Sequence, residues 1–239
     1  MTTYINISGY KFTQLTNLEA LQENLKTHCL ALGLKGTILL STEGINVFLC
    51  AKPAAIKNFI DYLPESGLPS ITFKESQSPK VPFKRMLVKI KSEIITMGVP
   101  EISPITHPAP HLAPTTFKHW LDEGKKLVIL DTRNDYEVQL GKFANALDLH
   151  IQNFHDFPDA IAQLPDEYKK LPIVTYCTGG IRCEKAAPLL KANGFQEVYQ
   201  LEGGILKYFE ECGSAHYTGD CFVFDNRVTL NAQLEPTYD

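Results

Sequence analysis

The sequence predicts an α/β protein built from two modules, and three observations carry that reading. Strand- and helix-forming stretches in the first hundred residues follow the order β-α-β-β-α-β. Short apolar strands alternate with helical patterns beyond residue 114, and a proline-dense stretch lies between the two regions.

In the first module, the apolar stretch 4–8 reads as a strand. Thr16 and Glu19, spaced as a capping box, announce a helix along which Leu18, Leu21, Leu25 and Cys29 keep helical spacing, and Gly33 stops it. Residues 36–40 and 45–50 are rich in β-formers and read as a hairpin through Ser41-Thr42-Glu43-Gly44. Pro53 opens a second helix with Ile56, Phe59, Ile60 and Leu63 on one face, and 86–95 returns as a strand. This is the order of the ferredoxin-like α+β superfold, which hosts many functions and by itself says little about chemistry. Pro100, Pro104, Pro108, Pro110 and Pro114 mark 99–114 as a linker. Strands at 127–130, 172–176 and 197–201, with helices at 117–122 and 184–192, then predict an α/β domain with a central parallel sheet. Asn193-Gly194 is a helix stop. The expected organisation is therefore 1–98, a linker at 99–114, a second domain at 115–213 and a C-terminal extension at 214–239.

Composition excludes several classes. With 44% hydrophobic and 21% charged residues, the 239-residue chain resembles an ordinary folded protein. No apolar run approaches the ~20 residues that cross a bilayer, and the first ten residues lack a basic and apolar leader, so the expected location is the cytoplasm, with no membrane partner. Six cysteines without an export signal are expected to be reduced thiols, and the lack of a C-x-x-C pair leaves no metal site to expect. A formal net charge of −4 argues against binding nucleic acid by bulk charge. A local patch is a separate matter. Lys80, Lys84, Arg85, Lys89 and Lys91 place five positive charges and no negative one within residues 80–91, which suits either a phosphate-binding stripe or a solvated strand face.

The chemistry concentrates in 171–184, a buried strand running into a glycine-bearing loop and then a helix. Cys177 ends the strand, at the sheet edge where open α/β folds bind ligands. The loop Thr178, Gly179, Gly180, Ile181 turns onto a helix N-terminus whose N–H groups favour an anion such as a thiolate. Both glycines are expected to turn the loop with positive φ, and Arg182 adds fixed charge and a planar donor fork. Helix end and arginine both lower a thiol pKa, which makes Cys177 the expected nucleophile with Arg182 beside it. Cys183 has two readings, a thiol that resolves a bond at Cys177 or a buried packing residue, and packing is the expectation. Four residues separate Cys177 from Arg182, a tighter loop than the five of phosphatase-type cradles, and it suits sulfur better than phosphate. His150 and His155 lie on a polar stretch with no partner evident in sequence. No motif for a metal, flavin or nicotinamide cofactor is recognisable.

Together with Leu130-Asp131-Thr132-Arg133 and Leu201-Glu202-Gly203-Gly204, the loop resembles that of rhodanese (sulfurtransferase) domains. The resemblance implies a persulfide-bearing Cys177, with Asp131 and Arg133 bracing the fold near the site. Over nearly the whole chain, segments 36–46, 82–95, 131–137, 177–186 and 221–227 resemble the tRNA uridine hydroxylase family, in order. That likeness implies an acylphosphatase-like N-terminal domain and oxygen-dependent formation of 5-hydroxyuridine at position 34 of tRNA. Molecular oxygen is then the co-substrate and the tRNA anticodon loop the partner. It also makes the basic stripe a candidate tRNA contact. Where many rhodaneses have Gly-His-Ile, this chain has Gly141-Lys142-Phe143, so no histidine acts there. Longer relatives carry a cysteine-rich C-terminal extension, while this sequence runs to Asp239, and no metal is expected in that part. A general sulfurtransferase and a non-catalytic binding module are the rival readings, the second weakened because Cys177 is present.

Overall fold

The computed structural model describes residues 3–237, and two units form in it around separate cores. The first comprises residues up to 95 together with 224–227. Its elements are β1 (Tyr4–Phe12), α1 (Leu18–Ala31), β2 (Lys35–Ser41), β3 (Gly44–Ala51), α2 (Pro53–Glu65), β4 (Lys74–Ser78) and β5 (Met86–Ile90). They build a sheet of order β4-β1-β3-β2-β5, in which only the β2/β5 pair is parallel. The expected hairpin turns through Thr42 and Glu43, with Ser41 paired to Gly44. Leu25, Cys29, Ile56, Phe59 and Leu63 project from the helices into the core, against Ile7, Ile38, Val47 and Leu49.

Two expectations for this unit are corrected. The fourth strand of the ferredoxin-like order is β4, and 86–95 supplies instead a shorter fifth strand on the opposite edge. Lys-Glu-Ser-Gln-Ser carries no apolar alternation because an edge strand is held by its ladder to β1, so periodicity could not find it. Nor does the Thr16 capping box form. Asn17 is the N-cap, in the left-handed region at φ 52°, and has no side-chain cap. Asn tolerates that conformation, and the turn it makes sets where α1 begins.

The second unit holds β6 (His111–Leu112), α3 (Pro114–Asp122), β7 (Val128–Asp131), α4 (Asp135–Val138), β8 (Gly141–Phe143), α5 (Phe157–Ala162), β9 (Ile173–Tyr176), α6 (Ile181–Ala192), β10 (Val198–Leu201), α7 (Gly204–Cys212), β11 (Tyr217–Gly219), β12 (Cys221–Phe222) and β13 (Thr229–Leu230). Its main sheet is parallel throughout, with order β6-β10-β9-β7. Among the described residues no helix is long and apolar enough to cross a membrane.

Residues 99–114 are not a free linker. They belong to the second unit, and β6 lies on the sheet edge, where Gln200 and Glu202 donate their N–H groups to Pro110 and Leu112 at 3.0 Å each. A two-residue strand among prolines offers no periodic signal, which is why composition read it as a spacer. Nor are the described residues of the 214–239 extension, 214–237, an appendage. β11 pairs with β8, and Tyr217, Cys221, Val223 and Leu230 sit in the core, while 224–227 belongs to the first unit. There Arg227 forms an ion pair with Asp225 and donates to Ser76 Oγ at 2.6 Å.

Phe143 anchors this second core. Its ring meets Phe117, Tyr176, Tyr208 and Tyr217 edge-on, with centroids 4.8 to 5.3 Å apart, the arrangement that aromatic quadrupoles favour. Phe143→Ala is expected to cost about 3–5 kcal/mol in denaturant unfolding. Leu30→Ala, at a position 55% exposed, should stay within about 0.5 kcal/mol, and equal losses in the two variants would contradict this placement of the core.

Candidate active site

β9 delivers Cys177 to the carboxyl edge of the parallel sheet, and the chain then turns through 178–180 into α6. Positive φ is confined to Gly180, at 100°. Gly179 does not share it, contrary to expectation, but a Cβ built there would meet nothing within 4 Å, so the loop is open above this residue. From below, the loop is pinned by the start of α7. Ile205 and Leu206 donate their N–H groups to the carbonyls of Cys177 and Thr178 at 2.9 and 3.1 Å. Only glycine fits at 204, where φ is 64° and a Cβ would fall 2.4 Å from the Cys177 carbonyl oxygen.

The Cys177 residue is 1% exposed, at the floor of this loop. The Gly180 N–H donates to its Sγ at 3.1 Å. Burial pushes the thiol up, yet hydrogen bonding from the Cys183 thiol, the Arg182 charge and the N–H groups of Arg182 and Gly180 outweigh it and bring the pKa down to about 6. Burial and then the neighbouring Cys177 sulfur push Cys183 the other way, well above the usual thiol range. The two buried thiols are thus shifted in opposite directions. Cys183 is fully buried, as a packing residue would be, and its thiol is also the foremost influence lowering Cys177.

Arg182 is held by a partner that the reading of the loop did not identify. Its Nη1 and Nη2 donate to Glu137 at 2.6 and 2.7 Å, both side chains being essentially buried. Glu137 also accepts from the Asn134 N–H at 3.2 Å and from the Thr178 hydroxyl at 3.5 Å. The motif 131–137 contained this residue, but nothing in its spacing linked it to a loop forty residues later. Asp131 and Arg133 form a fully buried ion pair of 2.7 Å, with Arg133 also donating to the Gly141 carbonyl at 2.7 Å. Tyr136, 44% exposed, packs edge-on against Phe222 with centroids 5.2 Å apart, and the Phe222 carbonyl accepts from Thr178. An exposed aromatic is thereby tied to the rim of the loop, a residue sequence reasoning missed.

Other expected positions fall elsewhere. Lys80, Lys84, Arg85, Lys89 and Lys91 are all exposed in the first unit. Arg85, Lys89 and Lys91 alternate with the buried Met86 and Val88, so they share the outer side of β5. His150 is exposed but has partners after all, with Nδ1 3.4 Å from carboxylate oxygens of both Asp135 and Asp148.

Comparison with known proteins agrees with both units. Residues 4–94 match the model of the UPF0176 acylphosphatase like domain, and 113–211 match the rhodanese-like domain. Among solved structures, the rhodanese-like domain of an Anabaena protein is similar at 24% identity and a TM-score of 0.39, over 46% of this chain and 79% of that one. Among curated proteins, the tRNA uridine(34) hydroxylase of Cupriavidus necator is 52% identical over 97% of this chain and 84% of its own length. Those of Ralstonia nicotianae and Burkholderia thailandensis are 50% and 49% identical, each over 84% of its own length. With half its residues shared along almost its entire length, and with the rhodanese loop intact inside that match, the chain belongs to the tRNA uridine(34) hydroxylase family.

Proposed function

We propose that the protein hydroxylates C5 of uridine 34 in tRNA, with molecular oxygen as co-substrate and Cys177 as the reactive thiolate. The observation that carries the reading is the Cys177 sulfur at the floor of the loop, held by the Gly180 N–H and with its pKa lowered, in a chain whose relatives are named tRNA uridine(34) hydroxylase. Uracil C5 is a weak nucleophile. A thiolate bonded to C6 turns C5 into an enolate carbon that can bond oxygen, and its later departure restores the ring. A base inside the anticodon loop must first leave its stack to reach the sulfur. The space over Gly179 is open, and the exposed Tyr136 ring offers a surface on which an extruded pyrimidine stacks. Charges on the outer side of β5 supply the sequence-independent grip that a protein of net charge −4 needs locally.

The four-residue loop and the N–H group on the sulfur also suit a persulfide, which favours a general sulfurtransferase as the second reading. Turnover of thiosulfate and cyanide to thiocyanate, unaffected by tRNA and with cellular 5-hydroxyuridine unchanged in a strain lacking the gene, would establish that reading in place of the first.

Cys177→Ser is expected to abolish 5-hydroxyuridine formation while leaving the fold intact, and full product would refute the assignment. With the Cys177 thiol brought down from the usual value near 9 to about 6 by its neighbours, activity should rise as pH climbs through 6 and then level off. An inflection near 9 would mean that the thiolate is not stabilised as described. Arg182→Lys should lower the rate, since an ammonium cannot span both oxygens of Glu137. Tyr136→Ala should raise KM for tRNA with Tyr136→Phe close to wild type, and matching values for all three proteins would remove the stacking role. For the stripe, changing Lys84, Arg85 and Lys89 to Ala should reduce the salt dependence of tRNA binding by about 0.7–0.9 for each phosphate no longer neutralised. An unchanged slope in a folded variant would make the stripe a solvated face.

A further inference from the structure

A glycine loses more conformational freedom on folding than any other residue, and three circumstances call for one: a positive φ, a neighbour too close for a Cβ, or a ligand that must come close to the main chain. Every other glycine of this protein falls under one of the first two. Either its φ is positive, or a Cβ built on it would fall within 3.0 Å of a neighbouring atom. Gly179 alone meets neither condition, since its φ is not positive and a Cβ would find open space out to 4 Å. Its place in the loop makes the third circumstance concrete. Among residues 177–183 only Gly179 and Ile181 are partly exposed, while Cys177, Thr178, Gly180, Arg182 and Cys183 are buried. The Gly180 N–H that donates to the Cys177 sulfur at 3.1 Å belongs to the peptide group joining 179 to 180. The Gly179 Cα therefore stands two bonds from the nitrogen that touches the reactive sulfur. A carbon attacked by that sulfur must come within about 3–3.5 Å of it, so base and peptide crowd around one atom.

We propose that the space a side chain would fill at Gly179 is taken by the uracil ring, which lies against the 179–180 peptide with C6 beside the Cys177 sulfur. Gly179 is then a substrate-contact residue by virtue of what it lacks, and its main chain is the surface on which the base is seated for attack. This deepens the hydroxylase reading and rests on it. Two consequences separate such a role from that of a structural glycine. Because φ is not positive and there is room for a methyl group, Gly179→Ala does not strain the fold and narrows the unfolded ensemble, so stability holds or rises. The same methyl group stands where the base belongs, so turnover falls. Stability and activity move in opposite directions, whereas at Gly204, where a Cβ would fall 2.4 Å from the Cys177 carbonyl oxygen, they would fall together.

The test compares wild type, Gly179→Ala and Gly179→Val as full chains. For Gly179→Ala the expected unfolding midpoint in urea equals or exceeds that of wild type. Alkylation of Cys177 by iodoacetamide, read from the Cys177 peptide by mass spectrometry, should stay within about threefold of wild type in both variants, because the reagent is smaller than a nucleobase and the thiolate is untouched. Binding of tRNA, dominated by phosphate contacts, should change by less than about twofold. Formation of 5-hydroxyuridine in air should nonetheless fall at least about tenfold for Gly179→Ala and about a hundredfold for Gly179→Val. Wild-type turnover in Gly179→Ala would overturn the inference while the hydroxylase reading stands. So would a loss of turnover that comes with a lower unfolding midpoint, or with Cys177 alkylation slowed to the same degree, since the substitution would then have disturbed the loop itself. If wild type forms no 5-hydroxyuridine under the same conditions, the hydroxylase reading falls and this inference with it.

Discussion

The buried pair of Glu137 and Arg182 is the interaction on which the reactive loop depends. Removing two ions from water costs several kcal/mol each, and the attraction between them repays this only when geometry is good and the remaining lone pairs are satisfied. Here both conditions hold. Two short parallel hydrogen bonds join the groups, and the carboxylate also takes the Asn134 N–H and the Thr178 hydroxyl. One side chain thus ties together the turn after β7, the reactive loop and the first turn of α6. Held in place by Glu137, the arginine still lowers the Cys177 thiol through its charge, second to the Cys183 thiol and ahead of the N–H groups of Arg182 and Gly180.

Backbone chemistry completes this framework. The beginning of α7 grips the loop by its carbonyls while the beginning of α6 offers N–H groups to the sulfur, so the two helix ends act on opposite sides of one short segment. Gly204 is where the two meet, and its lack of a side chain is a steric requirement. Packing beneath is aromatic and edge-on around Phe143, which makes the floor of the site stiff.

Much of this was legible in sequence because the signals are local. A strand end, a glycine turn, an arginine and a helix start all lie within 171–184, and Cys177 and Arg182 follow from them. Hydrophobic spacing likewise placed α1, α2 and the β2–β3 hairpin, because burial of one face repeats at the period of the element. What escaped was carried by partners distant in the chain. Glu137 is recognisable as the mate of Arg182 only after folding, and β4 is a polar edge whose identity lies in its ladder to β1. Gly179 was misjudged because two adjacent glycines look alike in sequence, whereas the turn needs a left-handed residue at Gly180 alone.

The division of the chain bears on its birth as well as its chemistry. The first unit is not finished when residue 95 has been made, since 224–227 belongs to it and supplies the Asp225–Arg227 pair that meets Ser76. More than a hundred residues of the second unit are synthesised in between. At about 5–20 residues per second, the nascent first sheet waits on the order of ten seconds for its last piece. During that interval the apolar side of the sheet is covered by α1 and α2, while the place for Arg227 beside Ser76 stays vacant. Ribosome pausing or chaperone capture in this window would therefore act on a nearly complete first unit, and the order of assembly is built into the path of the chain.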